Sequence, residues 1–366
     1  MSNYIEYKDR MAFHPGYYIQ EELEALEMTQ EEFAKRLDTT PKNLSILIRG
    51  EQSLSIDMAM KLARFFGTSI NFWLNLQNAF NIKLAEFRSE EETERERILL
   101  KSFDYKYFEN GNESVAHTGK KDEQILNLRK YLGVSTLSVF RKRDVTTFFR
   151  SAADEMTEDE IIKANVMVQI AVNKAMKIDA PRYNRKKLEE LLPYILEETI
   201  NEKAFYPFLR EAFRHAGVVF IAVPNMPGST IIGAVRRVNE KMLMMMNGKR
   251  MNADVFWFTI FHEIGHILNG DYGITVEHEA MENDPEYEAD KFAEKMLIPE
   301  NEYKDFVENN VFTMKTIKEF ASSIKRNPSI VLGQLERDGI IKTDDSRFSA
   351  LRRKYRIEDE DDSKQA

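Results

Sequence analysis

Residues 256–268 read FWFTIFHEIGHIL, a run that is apolar on nearly all sides and is interrupted by the pattern His-Glu-x-x-His. Such a run predicts a buried helix, whose polar side chains need partners. His262 and His266 lie four residues apart on one face of that helix, so both imidazoles can reach a single ion. This spacing is typical of zinc sites and predicts Zn²⁺ as the cofactor.

A second predicted helix supplies carboxylates for the same ion. Residues 286–293 read EYEADKFA, and this pattern places Glu286 and Asp290 on one helical face. We expect Glu286 to be the third metal ligand and Asp290 to orient a ligand imidazole. Glu263 lies beside the ion, where its carboxylate can accept a proton from water. The alternative is that the acids form a solvated face and that the histidines are ordinary core residues.

The composition limits the class of protein. The chain has 366 residues, enough for two or three domains, and no cysteine, which excludes disulfides and fits a reducing cytoplasm. No leader-like segment and no apolar run of membrane-spanning length is evident, so we expect a cytoplasmic protein without membrane association. The net charge of −9 argues against broad non-specific binding of nucleic acid, but not against a small DNA-reading patch.

The first 82 residues predict a bundle of short helices. Thr29 and Glu32 form a capping box that begins one helix, and Pro41 begins the next, which Gly50 ends. Two such helices joined by a tight turn form a helix-turn-helix, in which the polar start of the second helix enters the major groove. The alternative is a plain helical bundle for binding proteins. The residues expected to contact operator DNA are Gln30, Thr40, Lys42, Asn43, Ser45 and Arg49.

Four motifs in this region resemble a known family. They are HPG at 14–16, MTQEE at 28–32, IDMAMKLA at 56–63 and FWLNLQ at 72–77. They resemble the HigA-type antitoxin branch of the Xre helix-turn-helix family. The resemblance implies that the second helix of the motif reads DNA, often as a homodimer that represses its own operon.

The C-terminal half resembles a second family. The stretch from 256 to 266 and residues 286–299 are similar to the ImmA/IrrE metallopeptidases. The resemblance implies that the two ligand histidines, the catalytic glutamate and the ligand glutamate of that family fall on His262, His266, Glu263 and Glu286. Three apolar runs, at 218–223, 230–235 and 241–246, predict a small sheet before the metal helix. The resemblance further implies that an edge of the 230–247 strands aligns an extended peptide above the ion.

These observations predict a mainly α fold with a small β-sheet, which is an α+β fold. We expect an all-α helix-turn-helix domain at 1–82, a helical connecting region at 83–200 and a zincin-like zinc metallopeptidase domain at 201–345. Residues 346–366 are expected to form an acidic, disordered tail.

The favoured function is a DNA-binding transcriptional regulator whose zinc endopeptidase cuts itself or a partner repressor or toxin when a signal arrives. One alternative is an antitoxin that neutralises its toxin by binding, with a purely structural zinc. Another is a DNA-bound sensor whose zinc pocket captures a ligand. No oxyanion-stabilising residue can be assigned, and Tyr272 and His278 are the candidates.

Overall fold

The structure is a computed structural model that separates the chain into two units, Met1–Glu96 and Arg97–Ala366. The first unit extends beyond the predicted domain end at residue 82, because one continuous helix, Ile70–Phe103, runs through that position. The residues that the structure describes are 3–110, 115–142, 156–201, 205–248, 252–276, 285–309, 311–343 and 345–355.

The first unit contains a hairpin followed by the predicted short helices. The antiparallel hairpin is absent from the prediction of an all-α domain. Helix starts follow the expected chemistry, since the Thr29 and Thr40 hydroxyls accept hydrogen bonds from the backbone N–H groups of Glu32 and Asn43. The elements are β1 (Tyr4–Tyr7), β2 (Arg10–Phe13), α1 (Pro15–Ala25), α2 (Gln30–Arg36), α3 (Pro41–Ile48), α4 (Ile56–Phe66) and α5 (Ile70–Phe103), whose last seven residues belong to the second unit.

The second unit is built around a four-stranded sheet with the order β3-β5-β4-β6. Strands β3 and β5 are parallel, and the other neighbours are antiparallel. The described residues of this unit also include short 3-10 helices at Leu137–Arg141, Glu198–Ile200 and Ser346–Leu351. The other elements are α6 (Tyr105–Glu109), α7 (Lys121–Leu132), α8 (Glu158–Lys177), α9 (Arg185–Glu197), α10 (Phe205–His215), β3 (Val218–Val223), β4 (Ile231–Val238), β5 (Lys241–Asn247), α11 (Ala253–Asn269), β6 (Ile274–Val276), α12 (Pro285–Leu297), α13 (Glu300–Asn309), α14 (Met314–Ser323) and α15 (Pro328–Arg337).

Both faces of this sheet are buried. Alternate residues of a strand point to opposite faces, so Ile221 and Met245 join a core with α8, whereas Phe220 and Met244 join a core with α10 and α11. The predicted boundary at residue 200 is therefore wrong, because α8 of the predicted connecting region covers one face of the sheet and α9 adds Leu188 and Ile195 to the core on the other. A sheet that is apolar on both faces needs a layer on each side.

The strand order also corrects the expected peptide-aligning edge. Strands β4 and β5 are both interior, because β6 pairs with β4 through Ile231, Gly233 and Ala234. Edge positions in the sheet belong to β3 and to the short strand β6. An extended chain that joins the sheet beside Ile231, Gly233 and Ala234 therefore has to pair with β6.

The prediction of a disordered tail at 346–366 is wrong over its first ten residues. Phe348, Leu351 and Tyr355 are buried in the same core as α11, and the Tyr355 hydroxyl accepts a hydrogen bond from Trp257 Nε1 at 3.0 Å. The acidic residues of the segment begin beyond these residues, and residues 356–366 lie outside the described part of the chain. None of the helices in the described ranges is long and apolar enough to cross a bilayer.

Phe348→Ala is expected to lower the free energy of unfolding by about 3–5 kcal/mol, because the ring is 1% exposed and its removal leaves a cavity. Denaturant unfolding of the wild type and the variant measures this change. Val311→Ala is the control, since Val311 is 80% exposed and its truncation is expected to cost no more than about 0.5 kcal/mol. Equal effects of the two substitutions would contradict the burial of this segment.

Candidate functional site

Helix α11 is buried along most of its length and lies against α12. A Cβ atom added to Gly265 would come within 3.1 Å of the Ala289 Cα, so the two helices approach each other almost at backbone distance. Both contact positions carry small residues for that reason. This close approach brings Glu286, near the start of α12, to the face of α11 that carries the two histidines.

Three polar side chains meet between these helices. The Nε2 atoms of His262 and His266 are 2.9 Å apart, and Glu286 places one carboxylate oxygen 3.1 Å from the first and the other 3.5 Å from the second. One ligand atom from each side chain lies within 4.8 Å of the others. The three side chains are at most 5% exposed. Sequence-predicted ligands from two helices are therefore brought together in a buried cluster.

The outward nitrogens of both imidazoles are held by carboxylates. His262 Nδ1 is 2.8 Å from Asp290 Oδ1, and His266 Nδ1 is 3.1 Å from Asp271 Oδ2. An ionised carboxylate only accepts, so each Nδ1 carries a proton and donates. Each Nε2 is then the nitrogen left to coordinate an ion, and the two Nε2 atoms are 2.9 Å apart. This is the arrangement of histidines that bind a metal through Nε2.

The electrostatics of the cluster favour a cation. Burial by itself lowers the pKa of His262 and of His266, but the surrounding carboxylates outweigh burial and raise both pKa values. Burial likewise raises the pKa of Glu286, yet its hydrogen bonds to the imidazoles prevail and hold that pKa at about 2. The cluster offers two nitrogen donors and one ionised carboxylate, and the described residues add no further ligand. This set fits a zinc ion with one open position.

Glu263 differs from its neighbours in having no regular hydrogen-bond partner. It is 1% exposed, and its carboxylate oxygens form no regular hydrogen bond with the described residues, although the Thr275 hydroxyl on β6 lies near enough to lower its pKa. Burial raises the pKa of its carboxyl to about 7. A carboxylate without regular hydrogen bonds beside a metal-binding cluster is suited to hold a water molecule and to exchange a proton with it near neutral pH.

Gly233 on β4 makes room for this carboxylate. A Cβ atom at position 233 would lie 2.0 Å from Glu263 Oε1 and 2.8 Å from its Cδ, so any side chain there displaces the group. Gly233→Ala is therefore expected to displace the Glu263 carboxylate, to leave metal binding by the cluster unchanged, and to lower any hydrolysis that uses Glu263 as a general base by about 100- to 10,000-fold. Zinc analysis and a cleavage assay on the same preparation check this result. The control is Gly119→Ala, where a Cβ meets nothing within 4 Å.

Asp271 is a site residue that the sequence analysis missed. It follows Gly270, whose φ of 82° ends α11 and turns the chain back, so that Asp271 reaches His266. A glycine followed by an acid directly after a metal-binding helix was the available signal. The two candidates for the oxyanion-stabilising residue also lie in this region. Tyr272 packs against the core, and His278 lies outside the described residues.

Asp271→Asn is expected to weaken zinc binding by about 10- to 100-fold, because an orienting carboxylate is lost while the three ligands remain. Competition with a chromophoric chelator measures the affinity. Glu288→Gln is the matched control, since Glu288 is an exposed acid on α12. Unchanged affinity in Asp271→Asn would mean that the contact to His266 does not support metal binding.

Four of the residues predicted to contact DNA lie at the start of α2 or α3. Gln30 and Lys42 are exposed. Thr40 is the N-cap of α3, where its hydroxyl accepts from the Asn43 backbone N–H at 3.1 Å. Asn43 is exposed, and its side chain is held by hydrogen bonds to two neighbours. These four positions agree with a helix-turn-helix geometry.

The remaining two predicted contacts are engaged within the protein. Arg49 makes a two-point ion pair with Glu51, with nitrogen–oxygen distances of 2.8 and 3.0 Å, and also donates to the Ser45 hydroxyl. These contacts use three of the five guanidinium N–H groups and leave the Ser45 O–H free to donate. Arg49 and Ser45 therefore stay predicted DNA contacts.

The fold combines a helix-turn-helix unit with a second unit that carries a buried His-His-Glu cluster able to hold a metal ion. A family model described as helix-turn-helix matches residues 19–73, and one described as an IrrE N-terminal-like domain, a peptidase family, matches residues 218–323.

Relatives and solved structures match the N-terminal region. The uncharacterized HTH-type transcriptional regulator YddM of Escherichia coli is 42% identical over 79 residues, which are 21% of this chain and 84% of that protein. Virulence-associated protein I of Dichelobacter nodosus is 34% identical over 76 residues, which are 20% of this chain and 70% of that protein. The structure of an addiction module antidote protein of the HigA family from Coxiella burnetii is 40% identical in sequence and has a TM-score of 0.22. The match covers 23% of this chain and 94% of that chain.

The chain belongs to the helix-turn-helix transcriptional regulators through its N-terminal domain, and its C-terminal half contains an IrrE N-terminal-like domain. The predicted family resemblances and the predicted α+β fold class are thereby confirmed.

Proposed function

We propose that this protein binds operator DNA through its first unit and hydrolyses a peptide bond of a specific protein through its second. The observation that carries the peptidase assignment is Glu263, a buried carboxylate without a regular hydrogen bond to the described residues, beside three convergent metal ligands. A purely structural site has no need of a buried carboxylate that forms no regular hydrogen bond, because such a group costs free energy.

Each residue of the centre has a part in this reaction. His262, His266 and Glu286 hold the zinc ion, while Asp290 and Asp271 keep the imidazoles in the ligand tautomer. When bound, zinc polarises a carbonyl and makes nearby water more acidic. Glu263 accepts the proton of the attacking water on a carboxylate oxygen and delivers it to the leaving amine.

The sheet supplies a place for the substrate backbone. Thr275 on β6 is the register partner of Gly233, against which the Glu263 carboxylate lies. The outer edge of β6 therefore runs past the proposed general base. An extended peptide that pairs with this edge places its backbone beside the reacting groups. The substrate in this proposal is a partner repressor, a toxin or the protein itself.

The DNA-binding part of the proposal rests on the helix-turn-helix family and on the exposed start of α3. We further propose that two copies pair on a palindromic site, as helix-turn-helix proteins commonly do. A regulator of this kind acts in the cytoplasm, where the operator is. Light scattering of the protein with and without a bound duplex measures the number of chains.

A comparison of new N-termini in cells tests the peptidase assignment. Cells that express the wild type or Glu263→Gln are labelled at protein N-termini and analysed by mass spectrometry. The proposal expects one or a few new N-termini that appear with the wild type and are missing with the variant. The proposal would be overturned if cells with the wild type and cells with Glu263→Gln had identical sets of N-termini under both inducing and non-inducing conditions.

One observation favours the antitoxin alternative, namely that the ligand side chains are at most 5% exposed, as in closed structural zinc sites. In that case zinc stabilises a toxin-binding domain, and no proton acceptor is needed. Glu263→Gln would then protect cells from the partner toxin as well as the wild type does. Loss of function in that variant, with zinc retained, favours the enzyme.

A further inference from the structure

A small hydrogen-bond network at the start of α3 fixes the orientation of Asn43. Gln52 Nε2 is 3.2 Å from the Asn43 backbone oxygen and 2.8 Å from Asn43 Oδ1. Asn43 Nδ2 is 3.1 Å from the hydroxyl of Thr39. The backbone oxygen can only accept, so the Gln52 amide must present its NH₂ group, and the Asn43 atom that faces it must be the carbonyl oxygen.

The network leaves part of the Asn43 carboxamide free. A carboxamide has two lone pairs on oxygen and two N–H groups, of which Gln52 uses one lone pair and Thr39 uses one N–H. One lone pair on Oδ1 and one N–H on Nδ2 therefore have no hydrogen-bond partner among the described residues, on a side chain that is exposed.

An acceptor beside a donor complements one base in the major groove. Adenine presents the N6 amino group as a donor and N7 as an acceptor, and an asparagine carboxamide binds both. We infer that Asn43 reads an adenine of the operator and that Gln52 and Thr39 are positioning residues that hold its carboxamide for that contact. This inference rests on the proposed operator binding. Gln52 has no part in the six contacts predicted from sequence.

The test uses the full-length protein and a duplex that it selects from a random-sequence library. Each adenine of that duplex is replaced in turn by 7-deazaadenine, which lacks the N7 acceptor, and affinities are measured at one salt concentration because salt alone changes them. We expect one sensitive adenine in each half-site for the wild type. That sensitivity should be absent in Asn43→Ala, whose affinity for the unmodified duplex should fall about 10- to 100-fold.

The positioning residues have their own signature. Gln52→Ala should lower affinity by about 2- to 10-fold, the effect of one hydrogen bond, and should blunt the sensitivity at the same adenine. The double variant Asn43→Ala/Gln52→Ala should bind the duplex no more weakly than Asn43→Ala alone, because both residues act through the contact of Asn43 with adenine. Thr39→Val should behave like Gln52→Ala, whereas Thr39→Ser keeps the acceptor and should match the wild type. Gln20→Ala, an exposed glutamine on α1, is the matched control.

The possible results distinguish a failure of the adenine assignment from a failure of the proposed operator binding. A selected duplex whose adenine scan is the same for the wild type and Asn43→Ala would overturn the adenine assignment and leave operator binding intact. Additive losses in the double variant would overturn the positioning role. Failure to enrich any duplex would overturn operator binding, and the inference with it. Thermal unfolding of each variant shows whether an affinity loss comes from misfolding.

Discussion

Glu263→Gln is expected to retain about one zinc per chain while the rate of peptide cleavage falls by about 100- to 10,000-fold. Glutamine has nearly the same shape but cannot accept a proton, and His262, His266 and Glu286 remain as the proposed ligands. The substitution also removes a buried carboxylate that lacks regular hydrogen bonds, so the variant should unfold at the same temperature as the wild type or at a higher one.

Zinc analysis, calorimetry and a cleavage assay on the protein found by N-terminal labelling measure these three quantities. Glu288→Gln on α12 is the control for the chemical change, since Glu288 is exposed. A variant that is loaded with metal and still cleaves at the wild-type rate would remove Glu263 from the role of general base. A variant without zinc would instead show that Glu263 supports the metal.

Glu286→Ala is expected to abolish stoichiometric zinc binding. The carboxylate contacts the Nε2 atoms of both histidines, so its loss removes one of three ligands and should exceed the roughly 100-fold effect of losing an orienting carboxylate. Breaking a buried charge pair also destabilises the fold, by about 3–5 kcal/mol. Elemental analysis of the purified variant and denaturant unfolding in the presence of a chelator separate the two effects.

Glu288→Ala tests the alternative third ligand from the same helix. Glu288 is two residues further along α12 and is exposed, so its removal should leave the zinc content unchanged. Normal zinc in Glu286→Ala together with loss in Glu288→Ala would transfer the ligand role to Glu288. Loss of zinc in both would indicate that the start of α12, rather than one side chain, supports the ion.

Part of the candidate metal site follows from helical periodicity in the sequence, and part of it depends on how the two helices pack. Helical periodicity alone places His262 and His266 on one face, and the same argument pairs Glu286 with Asp290. That these two faces meet depends on the close approach at Gly265, which no periodicity reveals. Asp271 shows the same limit, since its contact with His266 requires the left-handed turn at Gly270.

The acidic composition of the C-terminus does not extend over the whole of the predicted tail at 346–366. The acidic residues begin only after Tyr355, whereas Phe348 and Leu351 carry the apolar surface that packs into the core. Likewise, the helices of the predicted connecting region looked like a linker because their partner, one face of the sheet, lies far along the chain.

The sequence by itself determined the two families, the helix starts of the first unit and the candidate ligands. These depend on residues within one or two helical turns, whose interactions are fixed by the local backbone geometry. Only the tertiary structure decided the strand order, the space that Gly233 leaves for Glu263, the second orienting carboxylate and the contact of Gln52 with Asn43. Each of these depends on which elements pack together, and packing is a property of the whole core rather than of any stretch of chain.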